Sequence, residues 1–163
     1  MQSDGPTNAA EDQRPLLYLE DLPVGRRFVT GSYVMEAEAI KAFASQFDPQ
    51  PFHLSEEAAK ATLFGALAAS GWHTAAVTMR LMVESGPRLA GGVIGAGTEV
   101  KWPKPTRPGD VLHVEGEVLA VRASQSRPGR GILSMRSETR NQHGDVVQTM
   151  TTDLIILCRG PAE

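Results

Sequence analysis

Apolar residues along this chain follow two different rhythms. Between Glu36 and Phe47 they recur at helical spacing, as Ala37, Ile40, Phe43, Ala44 and Phe47. That spacing predicts a helix with one buried face, and Pro49 stops it. Ser55-Glu56-Glu57 opens a second, short helix, with Ser55 as N-cap and two acids in the first turn. The longest helix is predicted from Gly71 to Ser85. Trp72, Ala75, Ala76, Met79, Met82 and Val83 form its apolar face, and Val77 and Leu81 widen it. A helix apolar over more than half its circumference is expected to be buried on several sides. Gly86-Pro87 ends it, glycine first and proline after.

After Val93 the period changes to that of strands. Gly97 to Trp102, Val111 to Arg122, Ile132 to Asn141 and Val146 to Cys158 read as strands. Val114, Gly116, Val118 and Ala120 alternate with His113, Glu115, Glu117 and Leu119, and Asn141-Gln142-His143-Gly144-Asp145 reads as a hairpin turn. Upstream, Phe28, Val29, Thr30, Tyr33 and Val34 mark one more strand, Arg27 to Met35. The glycine-rich run Gly91 to Gly97 reads as a flexible connector. It precedes a strand rather than a helix and lacks a Lys-Ser/Thr pair, so it is not a phosphate cradle. The order is strand, helices, one buried helix, then a long antiparallel meander. This is an α+β plan in which a curved sheet wraps a central helix. Residues 1–15 are expected to be a mobile tail and residues 16–160 a single domain.

Composition narrows the function. Of the 163 residues, 41% are hydrophobic and 21% charged, and the net charge of −3 is spread along the chain. Nothing in that resembles a nucleic-acid footprint. The single cysteine, Cys158, excludes an internal disulfide framework and a Cys-rich zinc site. It follows Leu154-Ile155-Ile156-Leu157 and reads as a buried structural thiol. No apolar run approaches the roughly twenty residues that span a bilayer, and no charged-then-apolar leader opens the chain, so a cytoplasmic location is expected. No two of His53, His73, His113 and His143 stand at i, i+4 on one helix beside a carboxylate, so neither a metal nor another cofactor is expected. His73 reads as a satisfied core residue, and His113 and His143 as surface residues.

Chemistry concentrates in Asp48-Pro49-Gln50-Pro51-Phe52-His53. An acid and an imidazole lie five positions apart. Two prolines between them forbid a regular helix and hold the segment in a few stiff, extended or turn-like shapes. This suits a preset acid–base pair, although Asp-Pro is equally an ordinary turn dipeptide. Gly71 stands where the buried helix begins. Its N–H has no helical partner there, and the helix dipole favours negative charge. A glycine at that point admits either a ligand oxygen or merely a tight entry turn.

The order of these features resembles the MaoC-like, or R-specific enoyl-CoA hydratase (hydratase 2), family, whose fold is the hot-dog. Two motifs carry the resemblance. The first is Asp48-Pro49-Gln50-Pro51-Phe52-His53-Leu54-Ser55-Glu56, and the second is Trp102-Pro103 followed by Pro108-Gly109-Asp110. The chain departs from the family pattern at Gln50, where Asn is usual, at Phe47, where Gly is frequent, and at Ser70, where His is common. The resemblance implies that Asp48 and His53 hold one water over the double bond of a 2-enoyl thioester. It also implies that the Gly71 amide stabilises the enolate oxygen. Gln50, Phe52, Ser70 and Trp72 become candidate pocket residues. The substrate would be an acyl-CoA or an acyl-carrier thioester, in a homodimer or higher homo-oligomer whose cleft lies at the subunit interface, with no nucleic-acid or membrane partner. Two rivals are an acyl-CoA thioesterase, for which Glu84 is the only acid within the long helix, and an inactive acyl-binding subunit. Arg80, Arg88, Lys101, Lys104 and Arg107 are candidates for phosphate contacts, with solvated surface charge the simpler reading of each.

Overall fold

The structure is a computed structural model and describes residues 12–160. A short strand β1 (Leu16–Leu17) leads into β2 (Arg27–Val34). Four helices follow: α1 (Ala37–Phe47), α2 (Pro51–Leu54), α3 (Glu56–Lys60) and α4 (Gly71–Ser85). Then come β3 (Arg88–Leu89), β4 (Ile94–Lys101), β5 (Val111–Ala123), β6 (Arg130–Arg140) and β7 (Val146–Leu157). The five long strands make one antiparallel sheet in the order β2-β5-β6-β7-β4, while β1 and β3 pair in parallel. Register shifts interrupt the ladders between Val29 and Ser32, Gly95 and Gly97, and Val118 and Ala120. Such bulges bend a sheet and raise its twist. Here they accompany a sheet that curls around α4, the hot-dog arrangement.

The concave face supplies the core. Leu112, Val114, Leu133, Val147, Leu154 and Ile156 are almost fully buried with Val77, Leu81 and Met82 of α4. On β5 the alternation holds, with Leu112, Val114, Gly116 and Val118 inward. Gly116 is required by close approach, because a Cβ there would lie 2.0 Å from the Phe28 ring tip. Asn141 builds the β6–β7 turn, accepting from the N–H groups of His143 and Asp145 at 3.0 Å each.

The architecture differs from the sequence expectations in four places. The strands after α4 are not one meander, because β4 lies at the far edge beside β7 and only β5, β6 and β7 run as consecutive neighbours. Alternation cannot reveal this, since it reports which face is buried and not which neighbour pairs. Second, β4 begins at Ile94, inside the run expected to be a connector, and Gly95 and Gly97 pair with Leu154 and Asp153 of β7. Third, Pro51 opens the single helical turn α2 instead of preventing one. At the first helical position its missing N–H has no partner to lose.

The fourth concerns α4. Its inward face is His73, Thr74, Val77, Thr78, Leu81 and Met82. The stripe expected to be buried is largely outside, with Trp72 61%, Met79 43% and Val83 54% exposed. The inward threonines are satisfied. The Thr74 hydroxyl donates to Thr106 at 2.9 Å, and the Thr78 hydroxyl donates to the Thr74 carbonyl and accepts from Gln148, both at 2.9 Å. Cys158 is half-buried at the margin of the core rather than within it.

Of the expected tail, residues 1–11 lie outside the described region. Beyond them, Arg14 donates to the Val83 and Gly86 carbonyls at 3.0 and 2.6 Å, at the C-terminal end of α4. No helix among the described residues is long and apolar enough to cross a membrane.

Leu112 is fully buried in the concave face. Leu112→Ala is expected to lower unfolding free energy by about 2–5 kcal/mol, read from urea melts, without changing the fold.

Candidate active site

Asp48 caps the C-terminal end of α1, its N–H donating to the Ala44 carbonyl at 2.9 Å. Three residues later α2 begins, and its single turn carries His53 inward, where it is 4% exposed. Acid and imidazole thus come from the end of one helix and the turn of the next. His53 Nε2 lies 3.3 Å from Asp48 Oδ2. The other ring nitrogen, Nδ1, lies 2.7 Å from the carbonyl oxygen of Ala68. A carbonyl can only accept, so Nδ1 carries the proton. In the neutral ring Nε2 is then a bare lone pair facing the carboxylate.

Asp48 is held in its charged form. Burial pushes its pKa up, but hydrogen bonds from Ser70 and Gln50, and the positive charge of His53 when that ring is protonated, outweigh this and leave it below the ordinary 3.8. The Gln50 amide donates to Asp48 Oδ1 at 2.7 Å, leaving Oδ2 turned to the histidine. Two acceptors stand side by side. A single water donating one proton to each satisfies both.

The carbonyl that sets the tautomer is itself held in place. Ala69 N–H donates to the Thr106 carbonyl at 2.9 Å. The Arg107 guanidinium donates to the carbonyls of Phe64, Ala66 and Leu67 at 2.6, 2.8 and 3.3 Å. Arg107 is therefore a clamp on the loop before α4. The other cations named as phosphate candidates have acidic partners: Arg80 with Glu84, Arg88 with Asp12, Lys101 with Glu99 and Lys104 with Asp145. Sequence spacing could not reveal the Arg107 clamp, because its acceptors are backbone atoms about 40 residues upstream.

Gly71 is the first residue of α4, capped by Ser70, whose Oγ accepts from the Trp72 N–H at 3.3 Å. The N–H groups of His73 and Thr74 reach the Ser70 carbonyl at 3.0 and 3.1 Å. Among the described residues the Gly71 N–H has no partner, so a donor remains at the positive end of the helix.

A cavity of about 450 Å³ is lined by Gln50, Phe52, His53, Phe64, Gly71 and Trp102 with neighbouring residues, while Asp48 stands behind His53 and Gln50 and does not itself line it. Phe52 packs edge-on to His53 at 4.6 Å between ring centres. Ser70 lies fully buried, and its hydroxyl helps hold Asp48 in its charged form. Trp72 does not line the cavity. Its ring is directed outward and meets Trp102 edge-on at 5.3 Å. Spacing also gave no reason to include Phe64, Thr74, Thr106 or Trp102, which all line this cavity. A second, more apolar groove of about 280 Å³ lies between α4 and the sheet, lined by Met79, Met82, Val93, Met135, Met150 and Leu154 among others. Thr74 lines the first cavity and Thr78 the second, one helical turn apart. Among the described residues no group of three or more His, Cys, Asp or Glu side chains could hold a metal ion.

Comparison with known proteins matches the model of the MaoC-like domain over residues 21–139. A solved MaoC-like dehydratase from Rhodospirillum rubrum is 61% identical, superposes with a TM-score of 0.87, and is matched over 89% of this chain and 99% of its own. The uncharacterised protein YdeM of Bacillus subtilis is 35% identical, over 76% of this chain and 87% of that protein. A 3-hydroxybutyryl-CoA dehydratase of Methylorubrum extorquens is 32% identical, over 65% of this chain and 66% of that enzyme.

His73 stands apart from this chemistry. It is 6% exposed and stacks flat on Phe43 at 4.7 Å, and its Nδ1 has no partner. Burial pushes its pKa below the ordinary 6.5. Above that value both folded and unfolded states hold it neutral. As pH falls through it, the unfolded chain takes up a proton that the native state resists, so stability drops with acid. Asp48, with its lowered pKa, adds a separate loss only below 3.8. His73→Leu is expected to shrink the fall in Tm between about pH 7.5 and about pH 5.5, measured by calorimetry.

Proposed function

This chain belongs to the family of MaoC-like domains, and on that premise we propose that it is an R-specific hydratase/dehydratase of 2-enoyl and 3-hydroxyacyl thioesters. The observation that carries this is the fork of two proton acceptors, Asp48 Oδ2 and His53 Nε2, 3.3 Å apart, with the tautomer of His53 set by Ala68. In the forward direction the oxygen of the shared water bonds to C3 while one of its protons passes to the pair. The electrons of the C2–C3 double bond move toward the thioester carbonyl. The Gly71 N–H stabilises the enolate oxygen so formed, a contribution that for one such donor is about 10²–10³-fold in rate. The pair then returns a proton to C2. Water is added as H and OH on one face of the substrate, and the reverse sequence dehydrates a 3-hydroxyacyl thioester. Both groups act on the same water, so acid and base are named as a unit.

The 3-hydroxybutyryl-CoA dehydratase among the relatives supports a coenzyme A thioester as substrate. The apolar groove beside Met79 and Met82 suits an acyl chain. Glu84 offers no support for the thioesterase reading. It is exposed, paired with Arg80, and 13 residues from Gly71, about 20 Å along the axis at 1.5 Å per residue.

The exposed stripe Trp72, Ala76, Met79 and Val83 supports a homodimer. Beside it β4 presents an unpaired outer edge, with almost every residue exposed. A bare apolar stripe next to an open strand edge is a surface that soluble chains cover. A second copy of this chain is the proposed cover.

Two measurements test these readings. Asp48→Asn and His53→Ala are each expected to lower crotonyl-CoA hydration by at least about 10²-fold with the circular dichroism spectrum unchanged. Near wild-type turnover in both would end the assignment. For the assembly, light scattering is expected to give twice the chain mass, and Val83→Glu to give the single chain. A wild-type monomer would refute the dimer.

A further inference from the structure

The mouth of the site contains a residue of the second motif, Trp102, to which the motif itself assigns no role. Trp102 follows β4 directly, and its indole lies against the backbone of Gly71. A Cβ on Gly71 would fall 2.6, 2.8 and 2.9 Å from three atoms of that ring. Trp102 is 41% exposed, so packing alone does not hold it. A hydrogen bond at its edge also fixes it. Trp102 Nε1 donates to Gln148 Oε1 at 2.8 Å.

Gln148 is fully buried on β7, and its orientation is fixed from both ends. Its amide Nε2 donates to Thr78 Oγ1 at 2.9 Å. The Thr78 hydroxyl gives its own proton to the Thr74 carbonyl at 2.9 Å. The Thr139 hydroxyl, 2.6 Å from Thr78 Oγ1, must then donate to it. Thr78 thereby makes one donation and two acceptances, the full capacity of a hydroxyl. An indole N–H can only donate, so Gln148 cannot turn its amide end for end without setting two donors face to face. Thr139 and Gln148 are direct neighbours across β6 and β7, which sets this chain of bonds in the rigid middle of the sheet.

We propose that Gln148 is a positioning residue for the active site: through Trp102 it holds an aromatic wall against Gly71, so that the oxygen of a bound thioester meets the Gly71 N–H with water excluded on that side. The proposal rests on the hydratase reading of Gly71. It assigns Trp102 to contact with the thioester and Gln148 to no substrate contact. Excluding water strengthens a hydrogen bond to a developing oxyanion, because the local dielectric falls. A ring free to swing would admit solvent and loosen the alignment of carbonyl and donor. The constraint also explains why position 71 admits no side chain even before a ligand is considered.

The test uses Gln148→Met, Trp102→Phe and their combination, with crotonyl-CoA as substrate. A Trp72→Phe background leaves Trp102 as the only tryptophan of the two in the chain, for fluorescence. Gln148→Met is expected to keep the circular dichroism spectrum and to make Trp102 emission more accessible to acrylamide. It is expected to lower kcat by about 10- to 100-fold while KM moves by less than about threefold. The double variant is expected to be no slower than the slower single, since both remove one interaction. A purely structural Gln148 would lower Tm and leave kcat alone, and that outcome overturns the proposal, as does unchanged quenching. If Gln148→Met fails to fold, Trp102→Phe decides, and wild-type kcat there overturns it. If the wild type hydrates no 2-enoyl-CoA, the hydratase reading fails, and acrylamide quenching alone decides whether Gln148 holds the ring.

Discussion

Helix α4 is held in its sheet by hydroxyl groups as much as by hydrocarbon, and the site is built on that fixed position. Thr74 and Thr78 face inward at 1% and 2% exposure and would each be expensive to bury without partners. Thr106, Thr139 and Gln148 supply those partners from a loop and from two central strands. Hydrocarbon contacts tolerate sliding, whereas a network of donors and acceptors is satisfied in one register only. The register of α4 sets where Gly71, its first residue, meets the cavity.

Around that fixed helix end, backbone atoms direct the side-chain chemistry. The Ala68 carbonyl decides which nitrogen of His53 carries the proton, and Arg107 pins the stretch that leads to it. Gln50 occupies one oxygen of Asp48 and leaves the other for the imidazole. In each case a hydrogen bond removes one of two otherwise equal possibilities. A fork of two acceptors results, and a water with two protons fits it. Gln50 departs from the family pattern in residue type, yet here it orients the carboxylate.

The same packing explains the outer surface of α4. Because its polar residues face in, its apolar stripe faces out, next to the open edge of β4. For an isolated chain this is a poor arrangement, and for a chain joined to a copy of itself it is a sensible one. The apolar groove between α4 and the sheet, lined by four methionines, opens beside that stripe. Unbranched thioether side chains adapt to differently shaped apolar guests.

Much of this was readable along the chain. Periodicity located α1, α4 and the long strands, and Gly71 and Ser85 bound α4 as spacing predicts, because helix caps and stops are local chemistry. The pairing of Asp48 with His53 was legible as a motif. The sequence did not disclose that Pro51 starts a turn, that β4 crosses to the far edge, or that the threonine face of α4 is the buried one. Nor could it reveal that Ala68, Arg107, Trp102 and Gln148 bear on the site. Local order follows from side chains competing with their own backbone within a few residues, so it is written in the sequence. Which polar groups can be buried, which strand edges meet, and which tautomer a histidine adopts depend on partners 15 to 70 residues away. Those partners are supplied only when the sheet closes around the helix.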